Sequence, residues 1–211
     1  MIKKLRIQTA SQFDKLASRY NRAYRSYLRH THREMMKHLK LGHNDEVLDI
    51  SAGTGLLAEE IAIQFGPLKR IVLNDPSKNM LAEAKYRLRY VKNVEFTSFF
   101  AEELSFEENS FSNIVCLNSF HYYTNQPGVV EQLMRILKPG GTLYLLDWNR
   151  KGFFIFVSAA IKLWSKEHIH ARSFEELKNL LTEHGFILRK HKEWSYWWWN
   201  FCFLKCSKPK K

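Results

Sequence analysis

The chain has 211 residues, of which 45% are hydrophobic and 14% aromatic, and its formal net charge is +12. This length suits one domain with an appendage, and this composition excludes an intrinsically disordered chain. Three cysteines are too few for a disulfide framework, so a reduced, cytoplasmic setting is expected. The positive charge favours nucleic acid, anionic lipid or an anionic ligand as partner, although a generally basic surface accounts for it without one.

The chain opens with a polar, basic stretch. Apolar residues at helical spacing predict one or two amphipathic helices in residues 9–40, so residues 1–40 are interpreted as an N-terminal helical cap. The first residues are charged, but no apolar core follows them, and a signal peptide is therefore not expected.

Strands and helices alternate between residues 46 and 150, the region taken (as residues 41–150) to be the ligand-binding core. The predicted strands are EVLDIS, KRIVLND, NVEFTSF, SFSNIVCLN and TLYLLDW. The predicted helices between them are GLLAEEIAIQF, a segment that Ser77 caps, and GVVEQLMRIL, and LKPGG is predicted to be a turn. Alternation of this kind produces a parallel sheet with helices on both faces.

Residues 151–211 complete the predicted single domain, 1–211, with a lid, a last helix and a β-hairpin. The apolar run at 153–164 is shorter than the roughly 20 residues of a membrane span, so no transmembrane segment is expected. Ser173 and Glu176 form a capping box for a helix that ends at Gly185. FILRKHKEW and YWWWNFCFLKC are predicted to close the sheet. The fold class is therefore α/β, with a doubly wound, mostly parallel seven-stranded sheet and an antiparallel C-terminal strand.

The segment VLDISAGTG, residues 47–55, is typical of a strand that enters a ligand-binding turn. Gly53 and Gly55 allow the backbone to approach a ligand and the next helix to begin tightly. Asp75 follows Gly55 by 20 residues, where an acid at the end of the second strand binds ribose hydroxyls. A nucleotide-like cofactor is therefore predicted at the carboxyl ends of these strands.

Two cofactor classes fit this turn. The pattern G-T-G-L-L-A from Gly53 matches the dinucleotide fingerprint. Asp49, however, would repel a pyrophosphate and attract an ammonium group, which favours an amino-acid-bearing nucleoside such as S-adenosylmethionine. A purely structural role for Asp49 as a carboxylate that caps the turn stays open, as does a simple turn role for Asp75.

Five segments in order resemble the class I S-adenosylmethionine-dependent methyltransferases (methyltransferase type 11 domain), in the branch that includes ubiquinone and menaquinone biosynthesis enzymes. The resemblance covers nearly the whole chain and is carried by residues 13–21, 47–55, 72–85, 101–123 and 133–148. It implies a Rossmann-like methyltransferase fold and S-adenosylmethionine, with S-adenosylhomocysteine as its product.

The resemblance also implies the residues that contact the cofactor. Those around its methionine part are Asp49, Ser51, Ala52, Gly53 and Gly55. Those around the ribose and adenine are Asp75, Pro76, Met80, Ala101 and Glu102, with Asn118 and Ser119 below the methyl-donor end and Tyr20 closing over it. Three departures from the family pattern put the affinity for the cofactor in question. Ser51 replaces a common glycine, and Phe100 and Ser112 each replace a frequent aspartate.

The predicted reaction is methyl transfer to the O, N or C atom of a small, hydrophobic acceptor. His121 is the candidate general base, and a packing role is its alternative. His168 and His170 lack a third ligand nearby, so no metal site is predicted. The aromatic run 194–203 suits core packing, a lipid-facing belt or a base-stacking platform. RNA or ribonucleoprotein methylation and a non-catalytic scaffold at a membrane surface are the competing functions.

Overall fold

The computed structural model describes residues 2–152, 154–156, 161 and 169–210. Two helices come first, α1 (Ile2–Ala23) and α2 (Arg25–Met36). The next elements are β1 (Glu46–Asp49), α3 (Leu56–Phe65), β2 (Arg70–Asn74), α4 (Lys78–Arg87), β3 (Val94–Thr97) and β4 (Phe111–Leu117). The last are α5 (Gln126–Ile136), β5 (Leu137–Trp148), α6 (Phe174–Glu183), β6 (Ile187–Tyr196) and β7 (Trp199–Ser207).

Within the described residues, seven strands form one sheet in the order β3-β2-β1-β4-β5-β7-β6. The first five strands are parallel, and β7 runs antiparallel to both β5 and β6. The predicted fold class is thereby confirmed. The strand order reverses direction between β1 and β4, and in doubly wound sheets ligands bind at such a switch point.

Local sequence signals place the helix ends as predicted. The Ser77 hydroxyl accepts a hydrogen bond from the backbone N–H of Met80, which caps α4. Ser173 and Glu176 form the complete capping box of α6. Gly185, at φ +88°, follows the C-terminal end of that helix in the left-handed conformation.

Two predicted boundaries are wrong. The LKPGG segment is part of β5, where the pairing with β4 shifts between Phe111 and Asn113 and absorbs the extra residues as an irregularity. The last aromatic run is not one strand, because β6 ends at Tyr196 and a turn of two residues, Trp197 and Trp198, separates it from β7.

Two buried clusters hold the sheet between its helices. One joins the sheet to α5 and α6, and the other joins it to α2, α3 and α4. Val129, Val130, Leu133 and Ile136 of α5 are fully buried at helical spacing, and each contributes roughly 1.5–3 kcal/mol by leaving water. These contacts fix the carboxyl ends of the central strands.

No helix among the described residues combines the length and apolarity that crossing a bilayer requires. The predicted lid run, 153–164, lies outside the described residues except for 154–156 and 161, and His168 of the His168–His170 pair also lies outside them.

Candidate active site

Four polar residues meet where the central strands end. Asp49 ends β1, Asp75 follows β2, Asn118 follows β4, and Asp147 lies near the end of β5. Because β1 and β4 are neighbours at the switch point, Asp49, Asp75 and Asn118 border the crevice there, whereas the Asp147 carboxylate lies against His121.

A cavity of about 110 Å³ lies in this crevice beneath α1. We call it the donor cavity. Ten of the predicted cofactor contacts line it: Tyr20, Ser51, Gly53, Asp75, Pro76, Met80, Ala101, Glu102, Asn118 and Ser119. Asp49 and Ala52 border a smaller adjoining space of about 50 Å³, which Tyr20, Ser51, Gly53 and Asn118 also line.

The two glycines of the turn have different surroundings. A Cβ atom added to Gly53, at φ +54°, would meet no atom within 4 Å, so this backbone is open to the cavity. A Cβ atom on Gly55 would lie 3.0 Å from the Ala84 side chain of α4. Gly55 therefore allows α3 and α4 to pack closely. The sequence predicted that it contacts the cofactor, but it does not line the donor cavity.

Ser51 fits the turn without backbone strain. Ser51 is not among the residues with positive φ, so its backbone does not adopt the left-handed conformation that favours glycine. Its hydroxyl lies 2.8 Å from the Tyr123 hydroxyl, which lies 3.1 Å from that of Ser119. The serine thus supplies a partner for a buried phenol.

Replacing Ser51 with alanine is expected to lower the free energy of unfolding by about 1 kcal/mol, because Tyr123 loses one hydrogen bond. Ser51→Gly should cost slightly more, since glycine adds backbone entropy to the unfolded chain. Both variants should keep the affinity for S-adenosylhomocysteine within about threefold. Denaturant unfolding and calorimetry check this, and a tenfold gain in affinity in the glycine variant would show that the serine harms the turn.

Asp49 and Asp75 are buried carboxyl groups in a site that favours a cation. Burial, with a smaller contribution from the charge of Asp75, raises the pKa of Asp49 to about 7. Burial also raises the pKa of Asp75 to about 6, although the N–H groups of Ser77 and Gly53 donate to it and oppose this shift. An ammonium group near Asp49 would restore its ionised form.

Glu102 is held by protein partners at the edge of the donor cavity. Its carboxylate accepts hydrogen bonds from the backbone and hydroxyl of Thr124 at 3.1 and 2.9 Å, and Arg6 of α1 lies 3.4 Å away. Phe100 lines the same cavity. This part of the donor cavity therefore presents an aromatic ring and an already paired carboxylate.

A second cavity, of about 290 Å³, adjoins the first. We call it the aromatic cavity. Phe13, Tyr20, Asn118 and Tyr122 line both cavities. The others that line it are Gln12, Lys15, Leu16, Arg19, Tyr24, Tyr27, His121, Trp148 and Trp199. Its walls suit a flat, largely apolar molecule.

His121 borders the aromatic cavity and pairs with Asp147. The Nδ1 atom of His121 bonds to the Asp147 carboxylate, and because a carboxylate only accepts, Nδ1 is the donor. The backbone N–H of His121 donates to the other carboxylate oxygen at 2.8 Å, and its ring stacks on Trp148 at 3.9 Å. Nε2 is buried and has no hydrogen-bond partner among the described residues. This orientation leaves Nε2 as a proton acceptor.

Two parts of this site were missed by sequence reasoning. Asp147 was placed in a strand without a role, although an acid at the carboxyl end of the strand next to β4 is a signal of a site. The α1 helix covers the donor cavity with Arg6, Thr9, Ala10 and Phe13, and their i, i+3, i+4, i+7 spacing was visible. Spacing alone does not tell which surface a helix covers.

Comparison with known proteins identifies similar domains. A family model described as a methyltransferase domain matches residues 47–141. A ubiquinone/menaquinone biosynthesis C-methyltransferase of Pseudomonas putida is 30% identical over 166 residues, which cover 67% of this chain and 65% of that relative's length.

Solved structures share the fold at lower identity. The protein solved in a complex with the Haloferax volcanii Trm112 methyltransferase activator has a TM-score of 0.81 at 17% identity, covering 93% of this chain and 97% of the other. Haemonchus contortus phosphoethanolamine N-methyltransferase 2, solved with phosphomonomethylethanolamine and S-adenosylhomocysteine, has a TM-score of 0.70 at 18% identity, covering 84% and 52%.

Proposed function

We propose that this chain, which is a class I S-adenosylmethionine-dependent methyltransferase by its fold and its family, transfers a methyl group to a small, largely hydrophobic acceptor. The observation that carries the proposal is the pair of adjoining cavities. One is bordered by buried carboxyl groups and an open glycine backbone, and the other by aromatic rings and an oriented histidine.

The residues of the donor cavity fit S-adenosylmethionine. Asp49 suits the ammonium group, the open backbone at Gly53 suits the amino-acid part, and Asp75 suits the ribose hydroxyls. When bound, the cofactor supplies an electrophilic methyl group on a sulfonium. Tyr20 and Asn118 line both cavities and the space beside Asp49, so they are placed to align the two ligands and to exclude water.

Affinity for S-adenosylhomocysteine is expected to rise with pH up to about 7. The ammonium group needs ionised Asp49, whose pKa in the ligand-free protein is about 7. Below that pH, binding must release a proton, which costs up to about tenfold in affinity per pH unit. Asp75, with a pKa of about 6, steepens the fall at lower pH. Calorimetry between pH 5.5 and 8, in buffers of different ionisation enthalpy, measures both the affinity and the proton release.

Asp49→Asn is the matched control for this pH dependence. It should flatten the profile above pH 6.5 and weaken binding at pH 8 on the order of tenfold or more, since a charge-assisted hydrogen bond is lost. Without ligand, the stability of the protein has the opposite pH dependence, because folded Asp49 keeps a proton that the unfolded chain releases near pH 4. The free energy of unfolding should thus fall as pH rises from about 4 to 7, and less so in the variant. Equal slopes in both proteins would contradict this assignment.

His121 is proposed to accept a proton from the acceptor. Asp147 holds the ring and would stabilise the imidazolium that forms, while Trp148 fixes its plane. A phenolic or enolic hydroxyl near Nε2 would gain nucleophilicity in this way, at its oxygen or at a ring carbon. Acceptors whose nucleophile needs no deprotonation would depend on positioning alone.

The name of the Pseudomonas putida relative, a C-methyltransferase of ubiquinone and menaquinone biosynthesis, adds quinol-like aromatics to the candidate acceptors. The test is methyl transfer from labelled S-adenosylmethionine to a panel of phenols, quinols and amines. Turnover on a phenol or quinol supports the proposal. Turnover on none of the panel, in a protein that binds S-adenosylhomocysteine, would contradict a hydrophobic aromatic acceptor.

Two further parts of the proposal concern organisation and location. Residues 1–211 are proposed to act as one methyltransferase domain, with the helical cap 1–40 covering the core 41–150 and the segment 151–211 completing the acceptor side. Cys116, Cys202 and Cys206 are all free and buried, which supports a reducing, cytoplasmic setting.

A further inference from the structure

The turn between β6 and β7 presents two tryptophans to solvent. Trp197 is 71% exposed and Trp198 is 52% exposed. Trp197 also has φ +55°, a conformation that turns of this length usually assign to asparagine or glycine. A bulky residue is thus kept where it gains little from burial and strains the backbone.

The turn is held firmly against α2. Tyr196, at the end of β6, stacks on His30 with ring centroids 3.9 Å apart, and its hydroxyl lies 2.9 Å from that of Ser26. Trp194 donates a hydrogen bond to the Nε2 atom of His30 at 2.8 Å. The exposed tryptophans therefore project from a fixed support.

A row of arginines lies next to this turn. Arg22, Arg25, Arg29 and Arg33 follow one another at three- and four-residue spacing along the end of α1 and α2, and with Tyr196 they line a groove of about 690 Å³. All four are exposed. Among the residues that the structure describes, no acidic side chain lines this groove.

We propose that this Trp–Arg face, made of Trp197, Trp198 and the four arginines, docks on an anionic phospholipid bilayer. The arginines complement the negative headgroups, where each basic residue contributes an attraction worth about fivefold in affinity. The tryptophans suit the interface, where a ring is partly apolar and its N–H stays solvated.

Neighbouring apolar side chains favour lipid over nucleic acid as the partner. Ile155 and Phe156 are 44% and 71% exposed, and their segment lies near the turn, because the ring of the adjacent Phe154 lies 5.7 Å from that of Trp199, the residue that follows the turn. An apolar side chain gains from contact with acyl chains and gains little from a phosphate backbone. Trp199, adjacent to the turn, lines the aromatic cavity, so docking would bring that cavity close to the membrane.

The test is sedimentation of the full chain with phosphatidylcholine vesicles, with and without about 30% phosphatidylglycerol. The wild type should bind the anionic vesicles at least about tenfold more strongly than the neutral ones. The triple variant Arg25→Gln, Arg29→Gln, Arg33→Gln should have an affinity for anionic vesicles that is lower by a factor on the order of 100. Trp197→Asn with Trp198→Ser should lose about tenfold, because two rings no longer leave water.

Matched controls distinguish binding by this face from the effects of net charge and of exposed aromatic rings elsewhere. The triple variant Lys78→Gln, Lys85→Gln, Lys92→Gln removes the same charge elsewhere, and Tyr86→Ser with Tyr90→Ser removes two exposed rings, one in the last turn of α4 and one just after it. Both should keep vesicle binding within about threefold. Equal losses in the controls, no preference for anionic vesicles, or binding to duplex RNA without binding to vesicles would overturn the proposal. Cofactor binding and methyl transfer to a water-soluble acceptor should stay unchanged in the variants of this face. Failure of the membrane-docking proposal is therefore distinguishable from failure of the proposed reaction.

Discussion

Replacing Asp75 with alanine is expected to weaken the binding of S-adenosylhomocysteine on the order of 100-fold. The proposed hydrogen bonds from two ribose hydroxyls to a buried carboxylate contribute roughly 1.5–3 kcal/mol each. The variant also removes the acceptor for the N–H groups of Gly53 and Ser77, so the turn that borders the cofactor loosens. Calorimetric titration measures the affinity directly.

Asp45→Ala is the matched control for this change. Asp45 also accepts two hydrogen bonds, from Gly42 N–H at 2.8 Å and the Ser112 hydroxyl at 2.7 Å. It precedes β1, however, and so lies at the amino ends of the strands, away from the donor cavity. It should lower stability and leave the affinity within about threefold. If Asp75→Ala binds S-adenosylhomocysteine as tightly as the control does, Asp75 does not contact the cofactor.

Replacing His121 with glutamine is expected to lower the rate of methyl transfer to a phenolic acceptor by a factor of about 10²–10⁴, the usual contribution of a general base. Asp147→Asn should lower it by a factor on the order of 100 or more, because an amide can favour the ring tautomer that carries its proton on Nε2. Affinity for S-adenosylhomocysteine should stay within about threefold in both variants, since neither side chain lines the donor cavity. Single-turnover kinetics separate the two effects.

His38→Gln controls for the loss of a packed histidine. His38 also stacks on an aromatic ring, Phe203, at 4.4 Å, and its buried Nε2 likewise has no hydrogen-bond partner among the described residues. It lines neither the donor nor the aromatic cavity. Its substitution should leave the transfer rate nearly unchanged. If His121→Gln retains more than about a third of the wild-type rate, His121 is a packing residue and not a base.

The parallel core could be predicted because its signals are local. Apolar runs, caps and glycines lie close together in sequence, and Ser77, Ser173 and Gly185 mark helix ends by side-chain or backbone chemistry that needs no tertiary partner. The 20 residues between Gly55 and Asp75 also follow from local structure, since one helix and one strand separate them.

The pairings across the fold could not be predicted. His121 and Asp147 meet only because β4 and β5 are neighbours, and the close contact between Gly55 and Ala84 arises only because α3 and α4 pack together. The Trp197–Trp198 turn was predicted as strand because tryptophan is common in strands and neither residue is typical of a turn. In each case the deciding term is a tertiary contact or a strained backbone, neither of which a local pattern reports.

The most direct test of the account is calorimetric titration of the purified chain with S-adenosylhomocysteine, with NAD as the competing ligand class. S-adenosylhomocysteine should bind with micromolar affinity and NAD should give no heat, because Asp49 attracts an ammonium group and repels a pyrophosphate. Binding of NAD, or no binding of S-adenosylhomocysteine, would contradict the proposed donor site.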